Sequence, residues 1–381
     1  MYKIYKAKSI VNTHKHCDGG WFWDKYSAHP YTGCEYGCDY CYSREEKYNP
    51  YRGARASEIP RLNDPFSELI KIKENAPELL RRELKNKPRD LIYLDSYQPV
   101  EAKYRYVRKM LEVCLELGFP VFINEKSPML LRDLDILKEI SRSSHLNVGW
   151  SIITAADDAV RLAFEPKAPP VSARFEAMKK LAENNIMTGT VFMPMLPFIY
   201  DDEANIEAVV KKTKECGGQY VLDGGLTLQG NCRTHFYKAL ERFDPTLLTR
   251  YDELYGDSEL MAKHARRVHQ SVLTCCRRHG LDPFIPRPID LYPKELQINK
   301  RVAARFYLEA RELQLSGQGG YREWAYRKAA WALDDLDESV QKILRARGLD
   351  GLMQIRGIGE SLAKQIQEFS EGEHASEPTC R

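Results

Sequence analysis

The chain has no run of eighteen apolar residues, the length a helix needs to cross a bilayer. Its opening segment, MYKIYKAKSIVNTHKHC, lacks the apolar core of a secretory leader. No membrane partner is expected, and the expected location is cytoplasmic. Cysteine is sparse as well: ten thiols among 381 residues are too few for a disulfide scaffold, so close spacing of thiols points to metal or redox chemistry. An excess of one charge sign is also missing. With a formal net charge of only +3, any affinity for nucleic acid has to come from local patches. What is there is a hydrophobic fraction of 43%, enough for one large core and a smaller companion.

One basic patch stands out. KHARRVHQSVLTCCRR, residues 263 to 278, carries Lys263, Arg266, Arg267, Arg277 and Arg278 and no acid, where a solvated helix face normally mixes the two signs.

From LIYLD at 91–95 to QYVLDGG at 219–225, short apolar runs alternate with segments of helical period. Strand then helix, repeated about six times, calls for an α/β fold with a parallel sheet, either a barrel or an open doubly wound sheet. The alternation stops near residue 228. Helix formers and basic residues follow, and then Pro283, Pro286, Pro288 and Pro293 mark an extended linker. From about 296 the period is helical throughout. The expected divisions are an N-terminal extension (1–27), a core (28–240), a basic region with linker (241–295), a small all-α domain (296–372) and a tail (373–381).

HPYTGCEYGCDYCYSR, residues 29 to 44, places Cys34, Cys38 and Cys41 at the spacing C-x3-C-x2-C. Short loops between thiols let successive sulfurs turn toward one centre. Zinc and an all-cysteine cubane cluster would each want a fourth ligand, and the next cysteine is Cys114. His29, or the HKHC stretch at 14–17, offers a nitrogen for a zinc site. The other reading leaves one iron open for a ligand that is not protein.

Here the sequence resembles the radical S-adenosylmethionine superfamily, whose signature is this loop with an aromatic, here Tyr40, before the last cysteine. DSYQPVEAKY (95–104), INEKSPMLLRDLDILKEI (123–140), NVGWSIIT (147–154), FEPKAPPVSARFEAMKKLAE (164–183) and VFMPMLPFIYD (191–201) are similar to its spore photoproduct lyase-like branch. The resemblance implies a partial (β/α)6 barrel and a 4Fe-4S cluster on Cys34, Cys38 and Cys41. It further implies S-adenosyl-L-methionine bordered by Ser96, Lys126, Ser151 and the backbone near Met193. Reductive cleavage to a 5'-deoxyadenosyl radical would draw an electron from a donor such as flavodoxin or ferredoxin. Glu165 and Arg174 stand open between this site and a structural ion pair. Members that repair the thymine photoproduct carry a hydrogen-donating cysteine where this chain has Asp95, so the lyase-type reaction lacks its terminator. Cys114 reads as buried, while Cys232 is a second candidate for facing the substrate.

LMQIRGIGESLAKQIQEF (352–369) resembles a helix-hairpin-helix, with Gly357 and Gly359 in a turn whose N–H groups can hold a phosphate. With AYRKAA (325–330), the tail is similar to the N-terminal domain of family X DNA polymerases. That implies DNA as a partner, with Arg322, Arg327 and Lys328 contributing. Twelve basic residues against eleven acidic ones between 296 and 372 imply modest affinity. Gln365 occupies the place of the Schiff-base lysine of lyase-active relatives, so the tail is expected to bind without lyase chemistry. The functional expectation is a radical enzyme acting on DNA, plausible as lesion repair. The alternatives are modification of RNA or protein with the tail for targeting, or a DNA-binding protein with a structural cluster.

Overall fold

A computed structural model describes residues 1–45, 48, 50–51 and 62–372. Six parallel strands form the core: β1 (Tyr26–Ala28), β2 (Ile92–Leu94), β3 (Val121–Glu125), β4 (Leu146–Ser151), β5 (Met187–Met195) and β6 (Val221–Gly225). They are hydrogen-bonded in chain order, with Val11–Thr13 added antiparallel outside β1. A strand order that never reverses has no doubly wound switch point, so the sheet curls as a partial barrel. A smaller sheet, of Tyr2–Tyr5, Tyr31–Thr32 and Ile70–Lys73, lies beside the cysteine loop.

The pleat explains the two cores. Ile92, Val121, Ile123, Val148 and Trp150 face outward under the helices, in one buried cluster with Leu111, Leu137 and Met178. Tyr93, Phe122, Met193, Tyr220 and Leu222 alternate with them and face the barrel interior. Strands buried on both faces read as continuous apolar runs, which is why Leu146–Ser151 is buried at all six positions.

The interior cluster does not end at the barrel. It continues into the C-terminal helices Gln297–Leu315, Tyr321–Asp334, Val340–Met353 and Glu360–Gly372. Three expectations change accordingly. The proline-rich stretch is not a free linker: Trp23 Nε1 donates to the Ile285 carbonyl at 2.6 Å, and buried Arg287 pairs with Asp334 at 2.7 Å. Proline fixes the chain in extended form, and here that form is packed rather than loose. The N-terminal segment is not a simple extension, since Phe22 enters the interior and stacks on Phe122 at 5.2 Å between ring centres. The all-α domain is docked as well. Its first helix lies on Gly19, where an added Cβ would sit 2.3 Å from the Tyr307 ring. Arg311 of the same helix donates to Asp223 of β6 at 2.7 Å.

The basic patch forms the helix Ser258–His279, and part of its charge is spent internally. Arg267 pairs with Asp201 at 2.6 Å, Arg278 with Glu207 at 2.7 Å, and Arg266 donates to the Ser316 carbonyl at 2.7 Å. Lys263 and Arg277 stay exposed, so the helix is a weaker anion patch than its sequence implies. Among the described residues, no helix is long and apolar enough to cross a membrane.

Candidate active site

The cysteine loop leaves the barrel at the C-terminal end of β1, the end where barrel active sites form. Two glycines let it turn back on itself. Gly33 and Gly37 have φ of +88° and +60°, and a Cβ at Gly33 would lie 2.6 Å from the Leu69 carbonyl oxygen. The loop is then fastened from several sides. Arg44, buried, donates to the Cys38 and Gly37 carbonyls, each at 2.9 Å, and pairs with Asp64 at 2.9 Å. Gln98 accepts from the Glu35 amide and donates to the Gly33 carbonyl, again each at 2.9 Å. Tyr36 donates its hydroxyl to the Tyr97 carbonyl at 2.9 Å.

Cys38 is buried, and Cys34 and Cys41 are half-buried. Burial pushes the Cys34 thiol well up, and the charges of Cys41 and Cys38 push it further. Burial, then the Glu165 carboxylate, raises Cys38 to about 12. A bound cation would relieve what burial costs the Cys34 and Cys38 thiolates. Among the described residues, no three His, Cys, Asp or Glu side chains gather closely enough to hold a single metal ion.

The nitrogen ligands considered from sequence are engaged elsewhere. His29 Nδ1 and Asp95 Oδ1 are 2.6 Å apart. His14 pairs with Asp24 at 3.2 Å, His16 stacks on Trp331 at 4.2 Å between ring centres, and Cys17 donates to Asp334 at 3.2 Å. The HKHC stretch therefore belongs to the junction with the C-terminal helices.

Beside the thiols lies a buried polar network. Tyr40 donates its hydroxyl to Glu165, which Arg174 also holds. Lys126 donates to Ser151 and lies 3.4 Å from Glu165. Arg174 donates to the Ser151 carbonyl at 2.9 Å, and Ser151 Oγ to the Met193 carbonyl at 3.4 Å. Burial pushes the Glu165 carboxyl up, but Lys126 and Arg174 outweigh it and hold the group at about 2. Lys126, Ser151 and Met193 thus meet in one network, while Ser96 accepts from Gln98 at 3.0 Å closer to the loop. Glu165 and Arg174 are the ion pair considered from sequence, and through Tyr40 the pair also touches the cysteine loop. Sequence reasoning missed Arg44, Gln98 and Asn124. The Asn124 Oδ1, on β3, is buried with no hydrogen-bond partner, a polar atom in want of a donor. Its signal was an asparagine directly after the apolar run Val121–Ile123, beside Glu125. Cys114 is buried on the inner face of the helix Tyr106–Leu117, and Cys232 is tied to the Thr227 carbonyl at 3.3 Å.

In the C-terminal domain, Gly357 has φ of +89° and its nearest side chain is Lys328. Gly359 is exposed, and a Cβ there would meet nothing within 4 Å. Arg322 is exposed, whereas Arg327 is held by Glu323 at 3.0 Å and Gln314 at 3.2 Å. Gln365 accepts from the Tyr326 hydroxyl at 3.2 Å, and Lys364 pairs with Glu360 at 2.7 Å.

Residues 297–375 match the model of the helix-hairpin-helix domain family, and the four helices described above carry that match. This part of the chain is a helix-hairpin-helix domain fused behind an α/β barrel. Among curated proteins, an uncharacterized protein of Mycobacterium tuberculosis is 25% identical over 241 residues, covering 61% of this chain and 67% of that protein. An uncharacterized protein of Methanocaldococcus jannaschii is 28% identical over 211 residues, covering 55% and 71%. Among solved structures, spore photoproduct lyase complexed with dinucleoside spore photoproduct aligns with a TM-score of 0.44 at 13% identity, covering 64% of this chain and 66% of that one. Streptococcus suis SuiB bound to precursor peptide SuiA aligns with a TM-score of 0.39 at 13% identity, covering 59% and 46%.

Proposed function

We propose that the protein is a radical S-adenosylmethionine enzyme acting on nucleic acid. The observation that carries this reading is the cysteine loop: Cys34, Cys38 and Cys41 on one tightly fastened turn at the C-terminal end of β1, beside the network of Tyr40, Glu165, Arg174, Lys126 and Ser151. A single zinc ion with Zn–S bonds of about 2.3 Å needs ligands nearly in contact. A cubane gives each of the three thiolates its own iron and leaves the fourth iron open to a ligand that is not protein.

The residues fit that group and its ligand. Cys34, Cys38 and Cys41 would hold three irons. Lys126 and Ser151 offer donors to a carboxylate, and Asn124 offers an acceptor to an ammonium or hydroxyl. When bound, the cluster and S-adenosylmethionine supply one-electron cleavage of a sulfonium carbon bond and a carbon radical that abstracts hydrogen. The chain's own part is to bind, orient and exclude water. Arg44 and Gln98 fix the loop, and the Glu165 network fixes the cationic end of Lys126. Asp95, paired with His29, cannot return a hydrogen atom, so the reaction ends differently from photoproduct repair.

The helix-hairpin-helix domain supports a nucleic-acid substrate, with Gly357, Gly359, Lys328 and Arg322 toward phosphates. Repair of a DNA lesion by lyase-like bond cleavage, with the hydrogen returned from a source other than residue 95, is the leading form of the proposal. The test is release of 5'-deoxyadenosine by the reconstituted, chemically reduced protein against duplex DNA, single-stranded DNA, RNA and peptides. Stimulation by nucleic acid alone is expected. Equal release with every addition would remove the nucleic-acid assignment, and no release at all would remove the enzyme class.

A further inference from the structure

The cysteine loop has two sides. One meets the network of Tyr40, Glu165 and Lys126. The other is covered by the helix Gly230–Phe243, which follows β6. Three residues of that helix reach the loop. Cys232 donates to the Tyr40 carbonyl at 3.7 Å, His235 Nε2 lies 2.6 Å from Asp39 Oδ1, and the Arg242 guanidinium lies 3.9 Å from the other Asp39 oxygen. Asp39 and Tyr40 are the residues that join Cys38 to Cys41, so the helix rests on the stretch that sets the spacing of two thiols.

The outward face of this helix is cationic. His235, Lys238 and Arg242 follow one another at helical spacing on one stripe. Lys238 is exposed, and so is the Arg242 side chain. The nearby loop carboxylates are engaged inward, Asp39 by His235 and Asp64 by Arg44 at 2.9 Å and Ser67 at 2.7 Å. Exposed Glu241 stands against the cations on the flank of the stripe. A cleft of about 200 Å³, lined among others by Arg44, Phe66, Asn231, His235 and Lys238, opens beside it. At the end of the helix Phe243 is 37% exposed. Its ring meets Phe164 edge to face at 5.2 Å, and the Phe164 carbonyl accepts from the Asp39 amide at 3.0 Å. An exposed ring two contacts from the thiol loop, bordered by cations, has the make-up of a docking surface with an apolar centre and a polar rim.

We propose that Lys238, Arg242 and Phe243, with the cleft beside His235, form the face on which a small acidic one-electron carrier protein docks. This rests on the radical-enzyme reading and gives the required reductant its place. The barrel mouth has to admit S-adenosylmethionine and a polymer, so a protein donor approaches from outside. Electron tunnelling falls exponentially with distance, so the donor must dock where few atoms cover the thiols. On this side Asp39 and half-buried His235 stand between buried Cys38 and the solvent. One electron leaves the reduced carrier and enters the cluster, the carrier is oxidised by one equivalent, and no covalent bond forms or breaks. Rim cations steer an acidic partner and set its association rate, which suits a contact that must form and release at every turnover.

The experiment uses the full, iron-reconstituted chain and two probes, an acidic flavodoxin and an acidic 2Fe-2S ferredoxin. Calorimetric titration in low and high salt reads binding. Release of 5'-deoxyadenosine is followed with the reduced carrier and, separately, with dithionite. Lys238→Glu with Arg242→Gln is expected to weaken carrier binding at least about fivefold in low salt and to flatten its salt dependence. Carrier-driven release should slow with it, and dithionite-driven release should stay unchanged. Lys211→Glu, the same charge change on the exposed side of the helix Glu203–Glu215, should leave carrier binding as it was. Undiminished carrier affinity in the double variant overturns the docking face, and so does failure of the unaltered protein to bind either carrier. A matching loss of duplex DNA affinity in that variant overturns it too and assigns the cations to nucleic acid. No release with dithionite removes the enzyme class, and the docking proposal falls with it.

Discussion

Arg311, on the first helix of the helix-hairpin-helix domain, donates to the Asp223 carboxylate on the last barrel strand at 2.7 Å, with both side chains buried. His269 meets the other Asp223 oxygen at 2.7 Å, and its second nitrogen lies 2.7 Å from Glu312. The C-terminal domain is thus keyed into the open edge of the barrel by alternating charges and by the ring of Tyr307 against Gly19.

The first prediction concerns that key. Asp223→Ala leaves Arg311 and His269 buried without their partner, a loss of about 3–5 kcal/mol. Urea unfolding should show it, and truncation at residue 296 should yield an aggregating barrel, because Trp23, Phe122 and Tyr220 lose their cover. A soluble truncated barrel of unchanged stability would contradict the docking.

The second prediction is a pH dependence. His269 is buried, which lowers its pKa, but Asp223 and Glu312 raise it to about 9, above the ordinary value of 6.5. A raised pKa means the folded state holds its proton more tightly, so this contribution is complete below pH 6.5 and is lost as pH rises through 9. Urea midpoints should fall between pH 7 and 10 in the unaltered protein and flatten over that range in His269→Gln.

A third prediction separates the polar network from the cluster ligands. Lys126→Met should keep the iron content while weakening S-adenosylmethionine binding at least tenfold, on the scale of about 1.5–3 kcal/mol for a hydrogen bond to a charged group. Glu165→Ala should destabilise the fold itself by about 3–5 kcal/mol, because Arg174 is left buried and unpaired. Equilibrium dialysis and thermal unfolding check the two outcomes.

The fourth concerns the hairpin. The strained turn residue is Gly357 and not Gly359, so a β-branched side chain at 357 should weaken duplex binding more than one at 359. Duplex affinity should fall with salt at a log–log slope of about −0.9 per phosphate neutralised. Borohydride should trap no adduct with abasic DNA, since Gln365 has no amine and Lys364 is paired with Glu360.

The strands and helices of the barrel were legible because period-2 and period-3.6 patterns alternate cleanly between residues 91 and 225, and the thiols because their spacing is dense. Strand β1 was not seen: Tyr26–Ala28 is three residues long and carries no pattern. The docking was hidden for another reason. Prolines at 283–293 mark extended backbone but not what that backbone packs on, and the Asp223–Arg311 pair spans 88 positions. Long-range charge pairing left no local signal, and the basic helix looked free because its carboxylate partners, Asp201 and Glu207, lie far away in sequence.

The central claim is that three thiols hold a four-iron cluster with one iron open to S-adenosylmethionine. Mössbauer spectra of the anaerobic, 57Fe-reconstituted protein test it most directly. The account predicts that adding S-adenosylmethionine shifts the signal of one iron in four and leaves three unchanged, and that Cys38→Ala abolishes the spectrum. A colourless zinc protein, or four irons that ignore S-adenosylmethionine, would contradict it.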